Sequence, residues 1–169
     1  MAKKSSIKRL SRALKRFGSI RKYKILTNLV VQYEGETASI DAALVGNFGV
    51  ILFDACDYKG ELYGSEKDPK WALYEKEYKS PVNNLLLLLN EKNDILRRIF
   101  AKEEIYKVNI DSFVVLMAKP KKIKCFFKSD RLLTMKTLNK LLDQEKYDTN
   151  KGLDSDRVIA AFEKYRYDG

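Results

Sequence analysis

Residues 38–57, with the sequence ASIDAALV-GNFG-VILFDACD, decide the fold of this chain. Two apolar segments, residues 38–45 and 50–57, lie on either side of a short glycine-bounded connection at residues 46–49. This pattern is typical of two antiparallel strands joined by a tight hairpin. Residues 50–53 are apolar on both faces of the predicted strand, which indicates a position in the interior of a sheet.

One acidic residue interrupts each of these two strands, Asp41 in the first and Asp54 in the second. Pairing about the connection sets Asp41 opposite Asp54, so we predict that the two carboxylates are neighbours. A buried carboxylate is costly unless it is paired, hydrogen-bonded or bound to a metal ion. Two close carboxylates favour a divalent cation, typically Mg²⁺ with oxygen ligands. The alternative is that both acids lie at strand ends in water.

The remainder of the chain predicts an α/β fold, with a mixed sheet flanked by helices. Further strands are predicted at residues 23–33, 61–63, 71–78, 112–118 and 122–127, and helices at residues 81–101, 132–142 and 156–165. Ser80 is the expected cap of the first of these helices, because proline is tolerated in a first helical turn and Pro81 follows. We divide the chain into a basic N-terminal helix (1–19), an α/β core (20–145) and a linker with a C-terminal helix (146–169).

The positive charge of the chain is concentrated at its N-terminal end. The chain has 33 Lys and Arg residues against 23 Asp and Glu, a formal net charge of +10. Residues 1–24 contain ten of the basic residues and no acid, so the remaining residues are balanced in charge. Apolar residues recur there at helical spacing, at Ile7, Leu10, Leu14 and Phe17. The N-terminal segment therefore predicts an amphipathic helix with a basic outer face.

A basic amphipathic helix has three interpretations. It presents its charge to nucleic acid, lies on an anionic membrane surface, or is a solvated helix with no ligand. The candidate contacts to nucleic acid, DNA or RNA, are Lys3, Lys4, Lys8, Arg9, Arg12, Lys15, Arg16, Arg21 and Lys22. A second basic cluster at residues 119–124 either contacts phosphates or forms an exposed loop.

The composition excludes several classes of function. The chain contains no histidine, which excludes Ser-His-Asp and Cys-His catalysis and histidine metal ligands. Its two cysteines are too few for a four-thiolate zinc site or a disulfide-rich secreted fold, so we expect a reduced, cytoplasmic compartment. The longest leucine run, residues 85–89, is far shorter than the roughly 20 residues of a membrane-spanning helix, so we expect no span.

Several motifs together resemble the nuclease-related domain family, NERD. They are the Ile40-Asp41 pair, the Gly-Val strand ending at Asp54, the Tyr58-Lys59-Gly60 turn, Trp71, and the Ser-Pro-Val-Asn-Asn segment at residues 80–84. The resemblance extends over about residues 20–142. It implies a core similar to that of restriction-endonuclease-like PD-(D/E)XK nucleases, in which two acids and a lysine cut phosphodiesters beside a bent sheet.

The resemblance assigns expected roles by position. Asp41 matches the first metal-binding aspartate, and Asp54 matches the second acid, with Mg²⁺ as the implied cofactor. Cys56 stands where the family has a lysine, and residues 1–33 contain no acid to match the family's first-helix glutamate. Lys59 is a candidate substitute for the missing lysine, and Asp57 is a candidate extra ligand. We expect Cys56 to be a buried thiol, because no histidine is present to activate it as a nucleophile.

Three functions remain open at this point. The first is a nucleic-acid-binding protein whose phosphodiesterase site is weak or lost. The second is an active metal-dependent nuclease that uses Asp41, Asp54 and an unconventional lysine. The third is an inhibitory or accessory protein, of the kind that mobile elements encode, which binds a nucleic-acid-processing protein or a nucleoprotein through its basic arm. Tyr58, Tyr63, Trp71, Tyr74 and Tyr78 are candidates for stacking on bases, with packing as the alternative.

Overall fold

The computed structural model describes residues 2–169, and Met1, which the predicted N-terminal segment includes, lies outside them. The helices are α1 (Ala2–Arg21), α2 (Leu85–Lys102), α3 (Met135–Leu142) and α4 (Ser155–Lys164). The strands are β1 (Lys24–Tyr33), β2 (Glu36–Gly46), β3 (Gly49–Cys56), β4 (Gly60–Tyr63), β5 (Lys70–Glu75), β6 (Tyr78–Asn83), β7 (Ile110–Leu116), β8 (Ile123–Cys125) and β9 (Leu132–Thr134). A 3-10 turn at Glu145–Tyr147 precedes α4.

The strands form two sheets. The main sheet has the order β1-β2-β3-β7-β9, and the second sheet has the order β6-β5-β4-β8. This confirms the predicted mixed α/β class, with the strands divided between two sheets. The second sheet begins at Gly60, whose φ is +119° and where a Cβ would lie 2.2 Å from the carbonyl oxygen of Tyr74. The glycine of the Tyr58-Lys59-Gly60 motif is therefore required by the close approach of β5.

The predicted hairpin is confirmed as the centre of the main sheet. β2 and β3 are antiparallel, with Gly46 opposite Gly49 and Ala42 opposite Phe53. β3 also pairs in parallel with β7, and all eight of its residues are buried. Gly49 has a φ of +142°, and a Cβ there would lie 2.4 Å from the carbonyl oxygen of Asn109. The hairpin turn thus needs glycine where the chain before β7 passes close to it.

Both faces of the main sheet are covered by other elements. The apolar stripe of α1 packs on one face together with α3 and the buried Tyr147. Helices α2 and α4 and the inner side of the second sheet pack on the other face. The residues that the sequence predicts for the α1 stripe are all buried: Ile7, Leu10, Leu14 and Phe17. Helix α1 is therefore joined to the core by apolar packing and keeps its basic residues outside.

Two predicted helix starts are wrong, and in both places a strand comes first. Residues 78–83 form β6, so Ser80 and Pro81 lie in a strand, and α2 begins at Leu85 with Asn84 as its cap. Proline is tolerated there because β6 is an edge strand. Similarly, the segment predicted as a helix from residue 132 begins with β9, and α3 starts at Met135 behind a Thr134 capping box.

Candidate functional site

Asp41 and Asp54 lie side by side where the pairing of β2 with β3 ends. The last paired positions are Ala42 and Phe53, and the two acids are the next residues on each strand. The backbone N–H of Ala55 donates to Asp41 Oδ2 at 2.8 Å, and the backbone N–H of Asp41 lies 3.4 Å from Asp54 Oδ1. The carboxylates thus accept hydrogen bonds from backbone groups that would otherwise pair with the neighbouring strand. The acids are only 6% and 4% exposed.

Lys92 of α2 is the partner of Asp54. Its Nζ atom lies 2.5 Å from Asp54 Oδ2, and its side chain is 20% exposed. We did not predict this residue from the sequence, although a signal was present. Lys92 lies three residues after Leu89 and four before Leu96, both buried, so a charge interrupts the apolar face of α2. The same argument selected Asp41 and Asp54 in the strands.

Lys3, in the first turn of α1, is the partner of Asp41. Its Nζ atom lies 2.9 Å from Asp41 Oδ2, and 53% of its side chain is exposed. Burial lowers the pKa of Lys3, but the hydrogen bond to Asp41 and the charges of Asp41, Asp54 and Asp57 outweigh it, so the pKa is raised. The ammonium group therefore remains protonated across the physiological range.

The four charged groups of the site balance one another. Burial raises the pKa of the Asp41 carboxyl, and the neighbouring charge of Asp54 raises it further. The hydrogen bond and charge of Lys3 and the N–H of Ala55 oppose this shift without cancelling it. We call Asp41, Asp54, Lys3 and Lys92 the lysine–aspartate cluster. Its two carboxylates and two ammonium groups have no formal net charge, so both acids are paired without any further cation.

The residues of the cluster do not fit a Mg²⁺ ion as they are arranged. Mg²⁺ requires several oxygen ligands in octahedral geometry. Here one oxygen of each carboxylate accepts from an ammonium group, and the Lys3 and Lys92 charges repel a divalent cation. Within residues 2–169, no group of three or more acidic or cysteine side chains has the arrangement of a metal site. Asp57 is directed elsewhere, since the Ser6 hydroxyl donates to one of its oxygens.

The structure does not bring Lys59 to the acids. Lys59 is exposed in the connection between β3 and β4, and none of the ion pairs or side-chain hydrogen bonds of residues 2–169 joins it to Asp41 or Asp54. It lines a groove of about 570 Å³ between α1 and the second sheet, with Arg9, Lys119 and Lys122 among the other lining residues. The second basic cluster of the sequence therefore reaches the same groove as α1.

Cys56, at the position where the resemblance implies a lysine, belongs to the core. It is 1% exposed among the apolar residues between the main sheet and α2. Burial raises the pKa of its thiol to about 12. A thiol with that pKa is protonated and unreactive at neutral pH, and it supplies no positive charge beside a phosphate.

The predicted nucleic-acid contacts of α1 fall into two groups. Three have partners within the protein: Lys3 pairs with Asp41, Arg9 donates to the carbonyl of Met117, and Arg21 pairs with Asp148. The others are exposed, and the described part of the chain gives none of them an ion pair or a side-chain hydrogen bond: Lys4, Lys8, Arg12, Lys15, Arg16 and Lys22. We call these six the free basic face of α1.

A family model for the nuclease-related domain, NERD, matches residues 3–117, which is more than half of the chain. The chain belongs to the nuclease-related domain family. This confirms the resemblance found in the sequence and gives the NERD chain a nuclease-related, nucleic-acid-related function. The matched residues include the whole lysine–aspartate cluster and Cys56. No curated protein was found to match the chain.

None of the helices of residues 2–169 is long and apolar enough to cross a membrane.

Proposed function

We propose that this NERD chain binds nucleic acid and that its Mg²⁺-dependent phosphodiesterase site is weak or lost. The observation that carries the proposal is the pairing in the lysine–aspartate cluster. Each buried acid is held by its own lysine, Asp41 by Lys3 and Asp54 by Lys92. The position that supplies the family's lysine is a core thiol, Cys56.

The reason to expect weak catalysis is electrostatic. The family's first helix carries a glutamate, whereas the first helix here places the Lys3 ammonium against Asp41. A positive charge in this place competes with a metal ion instead of helping to bind it. Removing one preorganised electrostatic contact from an active site costs about 100- to 1,000-fold in rate, and here several contacts differ.

The reason to expect binding is the free basic face of α1. Five of its six cations lie on α1, which is packed on the main sheet, and Lys22 directly follows the helix, so they form a preorganised surface for a phosphate backbone. Each phosphate that a lysine or arginine neutralises releases condensed counterions. The slope of log K against log salt is therefore about −0.9 per contact for duplex DNA and about −0.7 for a single strand.

The experiment is a fluorescence anisotropy titration of labelled oligonucleotides over a range of salt concentrations, in EDTA and in Mg²⁺. The variant Lys8→Glu/Arg12→Glu/Lys15→Glu reverses half of the free basic face. The matched control Arg97→Glu/Lys102→Glu/Lys107→Glu makes the same change in net charge around the end of α2. We expect the α1 variant to weaken binding by more than about tenfold and the control to change it little. Equal effects of the two variants would contradict the proposal.

An active metal-dependent nuclease is the second candidate, and the position of Lys92 favours it. The ammonium group lies against Asp54 and provides, from α2, a lysine that position 56 lacks. This candidate predicts cleavage of DNA or RNA in Mg²⁺ or Mn²⁺ that is lost in Asp54→Ala and in Lys92→Met. Cleavage that persists in Asp54→Ala would come from a contaminating nuclease and would remove the candidate.

A further inference from the structure

The outer face of the second sheet has no element of residues 2–169 packed on it. Its inner face carries Leu62, Trp71 and Leu73, which are buried in the core beside α2. Because side chains alternate along a strand, the residues between these point outward. The pairing of Glu61 with both Tyr74 and Lys124, and of Tyr74 with Lys79, sets outward residues of all four strands side by side.

Three aromatic rings gather on this outer face. Tyr63 and Phe126 are stacked, with ring centroids 4.5 Å apart and planes inclined by 2°. Tyr74 meets Tyr63 edge-on at 5.4 Å. Tyr63 is 38% exposed and Phe126 is 45% exposed. Aromatic side chains that are partly exposed together offer a flat apolar surface to a ligand.

Two other aromatic candidates from the sequence are packing residues. Trp71 is buried, and its indole N–H donates to the carbonyl of Ser65 at 2.8 Å. The Tyr58 hydroxyl donates to the carbonyl of Asn83. Tyr78 is exposed, but it is next to Lys79 on β6 and therefore points to the opposite side of the strand. The aromatic cluster is thus confined to Tyr63, Tyr74 and Phe126.

Lysines surround the three rings. Lys124 Nζ lies 5.0 Å from the centroid of the Phe126 ring, and Lys79 Nζ lies 5.9 Å from that of Tyr74. Lys70 lies four residues before Tyr74 on the same outward side of β5 and is exposed. Glu61 of β4 is the acid among the outward residues of these strands, and its carboxylate accepts a hydrogen bond from the Tyr63 hydroxyl. The face therefore combines aromatic surface with an excess of positive charge, which suits an anionic ligand that carries flat rings.

We propose that this outer face, which we call the aromatic platform, binds single-stranded nucleic acid. This proposal rests on the proposed function, which supplies nucleic acid as the class of ligand. It adds that the ligand is single-stranded and that the outer face of the second sheet contacts it. Unpaired bases stack on Tyr63, Tyr74 and Phe126, and the phosphates between them lie near Lys79 and Lys124. Stacking on aromatic side chains tolerates any base sequence and contributes about 1–3 kcal/mol per base. A duplex keeps its bases paired inside and gains none of this contribution.

The test is anisotropy with labelled oligo(dT), a duplex of equal length and an abasic strand of equal length, all in EDTA. The variants are Tyr63→Ala and Phe126→Ala. The matched control is Tyr106→Ala, an aromatic residue that is 69% exposed in the connection between α2 and β7. Each platform variant should weaken oligo(dT) binding about 5- to 150-fold, while Tyr106→Ala leaves it unchanged. The abasic strand should bind the wild-type protein at least as weakly as oligo(dT) binds either variant, because it loses stacking on all three rings.

The outcomes separate this inference from the proposed function. Reversal of the free basic face should weaken both the duplex and the single strand, whereas the platform variants should weaken the single strand alone. Equal affinity of the wild-type protein for oligo(dT) and the abasic strand would overturn the platform, and that comparison needs no variant to fold. Absence of binding to all three ligands would overturn the proposed function itself.

Discussion

The ammonium group of Lys92 lies 2.5 Å from the carboxylate of Asp54, although the two residues belong to different elements, α2 and β3. The acid is almost fully buried, and the lysine is mostly so. A buried ion pair adds little net stability compared with an apolar pair, but the loss of one partner leaves a charge without compensation. Lys92 and Asp54 are therefore expected to tolerate joint replacement better than single replacement.

Lys92→Met should lower the free energy of unfolding by about 3 kcal/mol, because Asp54 is left buried and unpaired. The double variant Lys92→Met/Asp54→Asn should recover most of this loss, since the amide keeps a hydrogen-bonding oxygen without the charge. Urea unfolding of the wild-type protein, the two single variants and the double variant measures the coupling. Additive losses would show that the two side chains do not interact.

Asp41→Asn should change the pH dependence of stability. The pKa of Asp41 is raised in the folded protein, so the carboxyl contributes to the free energy of unfolding fully below its ordinary pKa of 3.8. This contribution is lost as the pH rises through the pKa of the folded state. Asparagine keeps the acceptor for the N–H of Ala55 and does not titrate. Relative to the variant, the wild-type protein should therefore lose stability as the pH rises from acid to neutral. Urea unfolding at several pH values measures this difference, and a relative gain over the same range would contradict the assignment.

The two cysteines should differ in reactivity. Cys56 is buried with a thiol pKa raised to about 12, whereas Cys125 is partly exposed, although burial raises its pKa as well. An Ellman titration of the native protein near neutral pH should modify Cys125 slowly and leave Cys56 intact, and denaturant should release the second thiol. Cys125→Ser is the control, since it should leave no thiol that reacts in the native state. Rapid reaction of Cys56 would mean that position 56 is open to solvent.

Asn84 should stabilise both the start of α2 and the loop between β4 and β5. Its Oδ1 accepts from the N–H groups of Leu86 and Leu87, and its Nδ2 donates to the carbonyls of Ser65, Glu66 and Asp68. Asn84→Ala should lower the free energy of unfolding by about 1–2 kcal/mol through the lost cap alone. Asn84→Asp should keep the cap and release the loop, which limited proteolysis in residues 65–70 would detect. Equal unfolding curves for the two variants would contradict this division of roles.

The sequence predicted the parts of the site that depend on local pattern. The glycine-bounded turn set the register of β2 and β3, and the register placed Asp41 beside Asp54. The apolar stripe of α1 likewise followed from helical spacing. These features depend on periodicity and turn chemistry, which a single sequence contains.

The sequence predicted less well what depends on contacts between distant elements. Lys3 and Lys92 meet the acids only because α1 and α2 pack against the main sheet from different sides. The division into two sheets depends on β4 leaving the main sheet and pairing with β5 and β8. The predicted start of α2 is wrong because Ser80 and Pro81 are also compatible with an edge strand.

We propose that the protein holds nucleic acid without a metal ion, because Lys3 and Lys92 already pair with its buried acids. The most direct measurement is the affinity for a labelled single strand in EDTA and again in Mg²⁺, with the integrity of the strand checked on a denaturing gel. We predict an intact strand, a steep decrease of the affinity with added salt, and an affinity in Mg²⁺ that is no higher than in EDTA, because Mg²⁺ then acts only as a competing counterion. Binding or cleavage that appears only with Mg²⁺ and disappears in Asp54→Ala would contradict the account.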